Sequence, residues 1–262
     1  EREEFMRKTK IICTLGPATD DENVLAELIK NGMNVARFNF SHQDHSQHLV
    51  RLEALRKLRE WSGLPIATLL DTRGPEIRLC TFEESSVQIN PGDTFTLTTR
   101  EVEGNNEIVS ITYKGLPGDV YPNAKILIDD GLVEMVVESV SDTDIVCKVV
   151  NGGIIKDRKG VNVPGVNLTM PYISEQDRED IIFGIENDFD FIAASFVRTA
   201  GDVLENRRIL EEHNCYDIKI IAKIENLQGV HHIDEIIQVS DGIMVARGDM
   251  GVEIPNEDVP VI

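Results

Sequence analysis

The chain has 262 residues, 41% of them hydrophobic, enough to bury a substantial core as one large α/β barrel or as two domains. Its 26 Lys and Arg stand against 46 Asp and Glu, a net charge of −20, and that field argues against nucleic acid and membrane surfaces as partners. A small anionic substrate stays compatible, because a few placed cations and a metal reverse the sign locally.

Cys13, Cys80, Cys147 and Cys215 are widely scattered, with no Cys-x-x-Cys pair and no His at ligand spacing. Neither a zinc site nor a disulfide framework is expected, and free thiols point to a cytoplasmic protein. The opening Glu1–Lys10 is charged and lacks the apolar centre of a secretory signal, and no run approaches the ~18 apolar residues of a membrane span.

In chain order, a strand over Lys10–Leu15 leads through Gly16-Pro17 to a helix over Asp21–Lys30, which closes at Asn31-Gly32. A strand over Asn34–Phe40 follows, then an amphipathic helix from about His45 to Trp61, with Trp61 read as helix packing. The strand Ile66–Leu70 ends at Asp71. Such alternation is the signature of a parallel sheet covered by helices.

From Pro75 to about Val166 the pattern changes to short β-type runs, including Thr94–Leu97, Lys125–Ile128 and Ile145–Val150, separated by turn signals such as Asn90-Pro-Gly-Asp93 and Asp129-Asp-Gly131. Alternation resumes with a helix over Ser174–Glu186, in which Ser174 and Asp177 form a capping-box pattern. After it come strand Phe191–Ser195, helix Gly201–Glu212, strand Ile218–Ile224, helix Gln228–Val239 and strand Gly242–Ala246, with Gly248–Gly251 read as a turn. About six strand-helix units are present where a closed barrel needs eight. The expected fold is therefore α/β, a (β/α)8 TIM-barrel type truncated after about six strands, with an inserted all-β barrel domain. The expected boundaries are 1–74 for the first part of the barrel, 75–166 for the insert as a lid, and 167–262 for the second part.

Two nearly continuous apolar strands end in charge. Lys223 and Glu225 are two apart and so share one side of the pleat, and Asp249 follows the next strand. Carboxylates from successive strands beside one lysine make a hard-cation site plus a phosphate-handling cation. On the second strand Arg37, Asn39 and Ser41 alternate with Ala36, Phe38 and Phe40, and the third strand runs into Asp71-Thr-Arg-Gly-Pro-Glu-Ile-Arg78. Taken singly, each has a plainer reading. Lys223 can reach solvent along its stem, Glu225 and Asp249 can cap helices or turns, Arg37 can sit on a solvated strand face, and the charges after Asp71 can be exposed on a crossing loop. His42, His45, His48, His231 and His232 read as solvated helix histidines rather than metal ligands, and no P-loop pattern occurs.

Six ordered segments carry a resemblance: Thr9–Pro17, Asn34–His42, Leu70–Arg78, Lys159–Gly165, Ile221–Glu225 and Met244–Glu253. Through them the chain resembles the pyruvate kinase family along essentially its whole length. The resemblance implies transfer of a phosphoryl group from phosphoenolpyruvate to ADP, giving pyruvate and ATP in the final step of glycolysis. It implies that Arg37 and Lys223 are catalytic, and that substrate is bound by both together with Asp249 and the backbone around Ala246, Arg247 and Gly248. Glu225 and Asp249 would hold Mg2+ or Mn2+. K+ would lie at Asn39, Ser41, Asp71 and Thr72, and Glu76 occupies the position where K+-independent relatives carry lysine. Nucleotide contacts would come from Asn39, Phe40, Ser41, His42, Arg78 and Lys159. Gln43 and Met250 depart from the family's frequent Gly and Leu. The family's last barrel strands and C-terminal domain, which carry effector binding and much of a homotetramer contact, would lie beyond Ile262, so residues 1–262 alone are expected to be inactive. Two other classes stay open, a lyase using metal-enolate chemistry on a 2-oxo acid and a noncatalytic binding fragment; the β insert argues against the lyase.

Overall fold

The computed structural model describes residues 8–42, 44–255 and 257–262, and Gln43 lies outside them. β1 (Ile12–Leu15) leads to α1 (Glu22–Lys30), whose N-cap Asp21 accepts a 2.8 Å bond from the Asn23 N–H. After β2 (Val35–Asn39), α2 (His45–Ser62) starts at a capping box formed by Asp44 and Gln47 and stops at Gly63, whose φ of 65° only glycine adopts cheaply. β3 (Ala67–Asp71) completes this stretch. The helices bury Leu25, Ile29, Leu52 and Leu55 against Phe38, each side chain contributing roughly 1.5–3 kcal/mol by leaving water. Trp61 does not pack, being 78% exposed.

The next stretch contains β4 (Ile77–Arg78), β5 (Ser86–Ile89), β6 (Thr94–Thr98), β7 (Ile108–Ser110), the single-turn α3 (Leu116–Asp119), β8 (Lys125–Ile128), β9 (Val133–Val140), β10 (Asp144–Asn151), β11 (Gly153–Lys156) and β12 (Gly160–Asn162). Seven of these strands form one sheet in the order β4-β12-β8-β9-β10-β6-β7, and β5 pairs with β11. The sheet closes on itself. Just past its two ends Leu79 bridges Ile111, and the Thr112 N–H donates to the Arg78 carbonyl at 2.9 Å, so neither terminal strand is left as an open edge. Its core is apolar, built on Phe95, Leu97, Ile111, Ile126, Ile128 and Ile145.

Alternation then returns with α4 (Glu175–Glu186), β13 (Phe191–Ala194), α5 (Ala200–Glu212), β14 (Lys219–Ile224), α6 (Leu227–His231), α7 (Ile233–Val239), β15 (Gly242–Val245) and α8 (Arg247–Glu253). The Ser174–Asp177 capping box forms, with the Asp177 N–H donating to Ser174 Oγ at 3.0 Å. Two expectations are corrected. The helix read over Gln228–Val239 breaks at His232, whose Nδ1 faces the Arg198 and Gln228 carbonyls, and the turn read over Gly248–Gly251 is the body of α8.

β1, β2, β3, β13, β14 and β15 make one parallel sheet in that order, with β3 and β13 paired directly although the β insert separates them in sequence. Covered by helices, this is the incomplete barrel the sequence implies; among the described residues β1 and β15 do not pair. No described helix is long and apolar enough to cross a membrane.

Candidate active site

Three neighbouring strands, β3, β13 and β14, bring their carboxyl ends together, and the polar groups that follow them converge on Lys223. Its Nζ lies 3.1 Å from Asp71 Oδ1, 2.8 Å from Ser195 Oγ and 3.0 Å from Glu225 Oε1. Lys223 is only 8% exposed, so the plainer reading, a stem reaching solvent, does not hold. Burial opposes its charge, but Asp71 and then Glu225 outweigh that effect and hold the ammonium above its ordinary value.

Glu225 has a different balance. Burial pushes its carboxyl up to about 7 against the pull of Lys223 and of the Phe196 N–H, which donates to Oε2 at 2.6 Å, while the Asp249 charge pushes the same way as burial. Its other oxygen, Oε1, is buried and meets Lys223 off the line of a hydrogen bond, so it has charge contact and no hydrogen-bond donor. An orphaned buried carboxylate oxygen beside a second carboxylate suits a hard divalent cation. Among the described residues no three His, Cys, Asp or Glu side chains close into a cage, so such an ion would keep positions for water or substrate.

Asp71 is the hub. Besides Lys223 it receives Arg37 Nε on Oδ2 and lies 3.0 Å from Ser195 Oγ, and Arg37 donates further to Thr14 Oγ1 at 2.7 Å. Ser195 Oγ accepts from Lys223 and can give its one proton to Asp71 or to the Thr72 carbonyl at 2.7 Å. Asn39 is the register partner of Asp71, and its Oδ1 accepts from the Ser41 N–H at 3.1 Å. Thr72 is buried, its hydroxyl accepting from the Ser195 N–H at 3.1 Å and donating to the Ala193 carbonyl at 3.3 Å. Asn39, Ser41, Asp71 and Thr72 thus sit on adjoining strand ends, rich in oxygen.

A cleft of about 670 Å³ opens between the β insert and the α/β sheet, lined among others by His42, Arg78, Lys159, Phe196 and Asp249. Lys223, Glu225 and Asp71 do not line it; they meet it through Phe196 and through Asp249. The two insert cations that line the cleft are each held by a carboxylate, Arg78 by Glu76 at 2.7 Å and Lys159 by Asp129 at 2.8 Å. Arg78 also donates to the Arg158 carbonyl at 2.9 Å. Ala246 caps α8, and Arg247, Gly248 and Asp249 form its exposed first turn.

Phe40 goes elsewhere. Its ring is buried and stacks on His48 at 4.2 Å, so its backbone alone can face a ligand. His48 is likewise no solvated histidine: it is 1% exposed, and its Nε2 lies 3.1 Å from the His42 carbonyl. Ser195 and Phe196 are additions that sequence reasoning did not single out. The signal available was a serine closing an otherwise apolar strand; Phe196, at φ 53°, is a non-glycine residue held in the left-handed region where its N–H reaches Glu225.

The model of the pyruvate kinase barrel domain matches residues 6–262. The chain is 52% identical over 258 residues to a pyruvate kinase of Clostridium perfringens, covering 98% of this chain and 54% of that one. It is also 52% identical over 258 residues to a pyruvate kinase of Geobacillus stearothermophilus, covering 98% and 44% respectively. The crystal structure of a pyruvate kinase from Cryptosporidium parvum superposes with a TM-score of 0.92 at 42% identity, over 97% of this chain and 54% of that one. The chain spans about half the length of the curated relatives it matches. Shared along nearly all of its length in sequence and in backbone, these likenesses settle its descent: the chain belongs to the pyruvate kinase family.

Proposed function

We propose that this chain carries the phosphoryl-transfer centre of a pyruvate kinase, moving a phosphoryl group between phosphoenolpyruvate and ADP to give pyruvate and ATP. One observation carries the reading: a buried ammonium, Lys223, bracketed by Asp71, Glu225 and Ser195 at the carboxyl ends of three adjacent strands. Phosphoryl transfer asks little covalent chemistry of a protein and much alignment and charge neutralisation on in-line oxygens. Lys223 would stabilise the migrating group, and Arg37, fixed by Asp71 and Thr14, would hold the phosphate of the donor.

Glu225 and Asp249 would hold Mg2+ or Mn2+, the orphaned Glu225 Oε1 supplying one ligand atom. Bound there, the ion supplies positive charge to the carboxylate and enolate oxygens of the substrate. The backbone around Ala246, Arg247 and Gly248 would lie beside that substrate. Asn39, Ser41, Asp71 and Thr72 would offer oxygens to K+. On the nucleotide side His42, Arg78 and Lys159 line the cleft, Asn39 and Ser41 lie on the neighbouring strand end, and Phe40 would contribute through its backbone. Two cations reaching into the cleft from the insert favour a polyphosphate over a lyase substrate. The insert, 75–166, would act as a lid on barrel parts 1–74 and 167–262, within a cytoplasmic homotetramer.

The test is formation of pyruvate and ATP from phosphoenolpyruvate and ADP by the full-length protein with Mg2+ and K+. Activity that requires both substrates is expected, and Glu225→Gln and Asp249→Asn should each raise the Mg2+ concentration needed. Metal titrations unchanged in both variants would remove those residues from the ion, and a parent without ATP formation would sink the reading as a whole.

A further inference from the structure

The cleft has two walls; Tyr113 and Asp119 tie the insert to Thr169 of the segment that leads out of it, and one further side-chain hydrogen bond crosses from an insert strand to a helix of the opposite wall. On the insert, Lys159 immediately precedes β12, whose last residue is Asn162. On the α/β side, Asp249 and Glu253 stand four apart on α8 and so share one face of that helix. All four residues line the cleft. Asn162 Nδ2 donates to Glu253 Oε1 at 3.3 Å, and among the described residues this is the one side-chain hydrogen bond between a strand of the insert and any element from α4 onward. A chain of rigid pieces results, running from Lys159 along β12, across the Asn162–Glu253 bond, and back along one turn of α8 to Asp249.

We propose that Asn162 and Glu253 are a positioning pair, which sets the separation between the nucleotide cation Lys159 and the metal-side carboxylate Asp249 by holding β12 against α8. This rests on the proposed roles of those two residues. The physical reason is geometric. In-line transfer tolerates little error in the distance between donor and acceptor oxygens, and Lys159 and Asp249 are carried by parts of the chain whose cores are separate. Lys159 is braced within the insert by Asp129, and a bond across the cleft converts that internal order into order relative to α8. Asn162 and Glu253 are both part-buried, and burial holds the Glu253 carboxyl above its ordinary value against the pull of Asn162.

A charge-and-donor swap in the full-length protein tests it, assayed at pH 8 with Mg2+ and K+. Glu253→Gln keeps an acceptor oxygen for Asn162 and should leave ADP KM within about twofold of the parent. Asn162→Asp sets carboxylate against carboxylate and should raise ADP KM about tenfold, with a smaller rise in phosphoenolpyruvate KM, since Arg37 and Lys223 are untouched while Asp249 moves with α8. The double variant Asn162→Asp/Glu253→Gln rebuilds the bond with the donor reversed and should return ADP KM to near the parent; a merely structural role would instead show as lost stability without a selective change in ADP KM. Hydrogen exchange of the α8 amides, read without substrates, should rise in Asn162→Asp and fall back in the double variant. Asn162→Ser, too short to reach, serves if Asn162→Asp misfolds. A double variant as impaired as Asn162→Asp, or exchange of α8 indifferent to all three changes, overturns the pair. A parent without kinase activity would instead sink the proposed function, and the exchange data would still decide whether the contact holds β12 to α8.

Discussion

The β insert and the parallel sheet are stabilised in opposite ways. In the insert the buried polar side chains are Thr98 and Ser110, while the remaining core is apolar and the sheet is closed by the Leu79–Ile111 bridge. Its one buried thiol, Cys147, is pushed up by burial to about 12 and stays neutral. Around the parallel sheet, by contrast, His48, Arg51, Asp71, Asp177, Asp180, Asp202, Lys223 and Glu225 are all buried. Burying charge costs several kcal/mol unless partners return it; Asp177 and Asp202 offset it as helix caps, but Asp71, Lys223 and Glu225 cap nothing, and their burial answers a demand other than folding. The insert is built to keep its shape, and the sheet is built to hold charge at one end.

The largest blow to that contrast should be Lys223→Met. Removing an ammonium from the proposed transfer centre should lower kcat by about 10³-fold or more. Because Lys223 is also the counter-ion of Asp71 and Glu225, the change leaves two buried carboxylates short of charge, and the parallel sheet should lose roughly 3–5 kcal/mol. Hydrogen exchange should rise in β3, β13 and β14 and stay at parent levels in β6, β9 and β10. Turnover within tenfold of the parent would take Lys223 out of the chemistry, and exchange rising equally in the insert would show the two regions to be one cooperative unit.

The mirror experiment is Phe95→Ala. Phe95 is fully buried at the centre of the insert, and losing its ring should cost about 3–5 kcal/mol there, with β13 and β14 unaffected in exchange. Gly74→Ala strikes the joint between the regions. Gly74 has φ +73°, and a Cβ placed on it would lie 2.8 Å from the Ser195 carbonyl oxygen, so the substitution must shift either the crossing or the serine that contacts Lys223. A cost of roughly 1–3 kcal/mol is expected, together with a fall in kcat larger than any change in ADP KM. A variant with parent kcat would show that Ser195 and Lys223 tolerate the displacement.

How much of this was legible follows from which residues carry a period. Lys223 and Glu225 stand out because a strand repeats every two residues and, past Lys219 at its start, nothing else in that apolar run is charged. By the same period Phe40 belongs with Ala36 and Phe38 in the core, which leaves its backbone for the nucleotide contact that the resemblance implies for this segment. Asp249 lies on a helix and not in a turn; Gly248 and Gly251 look like turn residues, and α8 forms around them regardless. Ser195 had no periodic signature: its meaning depends on β3 and β13 being neighbours across the insert, a long-range pairing that local pattern does not contain. The same holds for Asn162 and Glu253. His48 was misread because a histidine on an amphipathic helix looks solvated until the aromatic rings of Phe38 and Phe40 close over it.

The smallest effect separates the regions by acid. His48 is held below its ordinary value, first by burial and further by its neighbours Arg51 and His45, against the pull of the His42 carbonyl and of Asp44. A histidine with a lowered folded pKa is neutral in the folded chain while the unfolded chain takes up a proton. Its contribution is therefore fully present above about 6.5 and is lost as pH falls from there through the folded value. Residues 75–166 contain no histidine. The prominent acid-sensitive group there is Asp144, lowered chiefly by its bond from Thr98, so the insert keeps this contribution above the ordinary Asp value of 3.8 and loses it only at lower pH. His48→Phe keeps a ring against Phe40 while removing the titration. The difference between the two melting curves then reports His48 together with its small effect on the neighbouring Asp44. That difference should narrow by a few degrees as pH drops from 7 toward 5, with β9 and β10 exchange in the insert unchanged over the same range. A gap between the curves that stays constant would mean that His48 carries its proton in the folded chain, and a gap tracking exchange in the insert would mean that acid reaches both regions together.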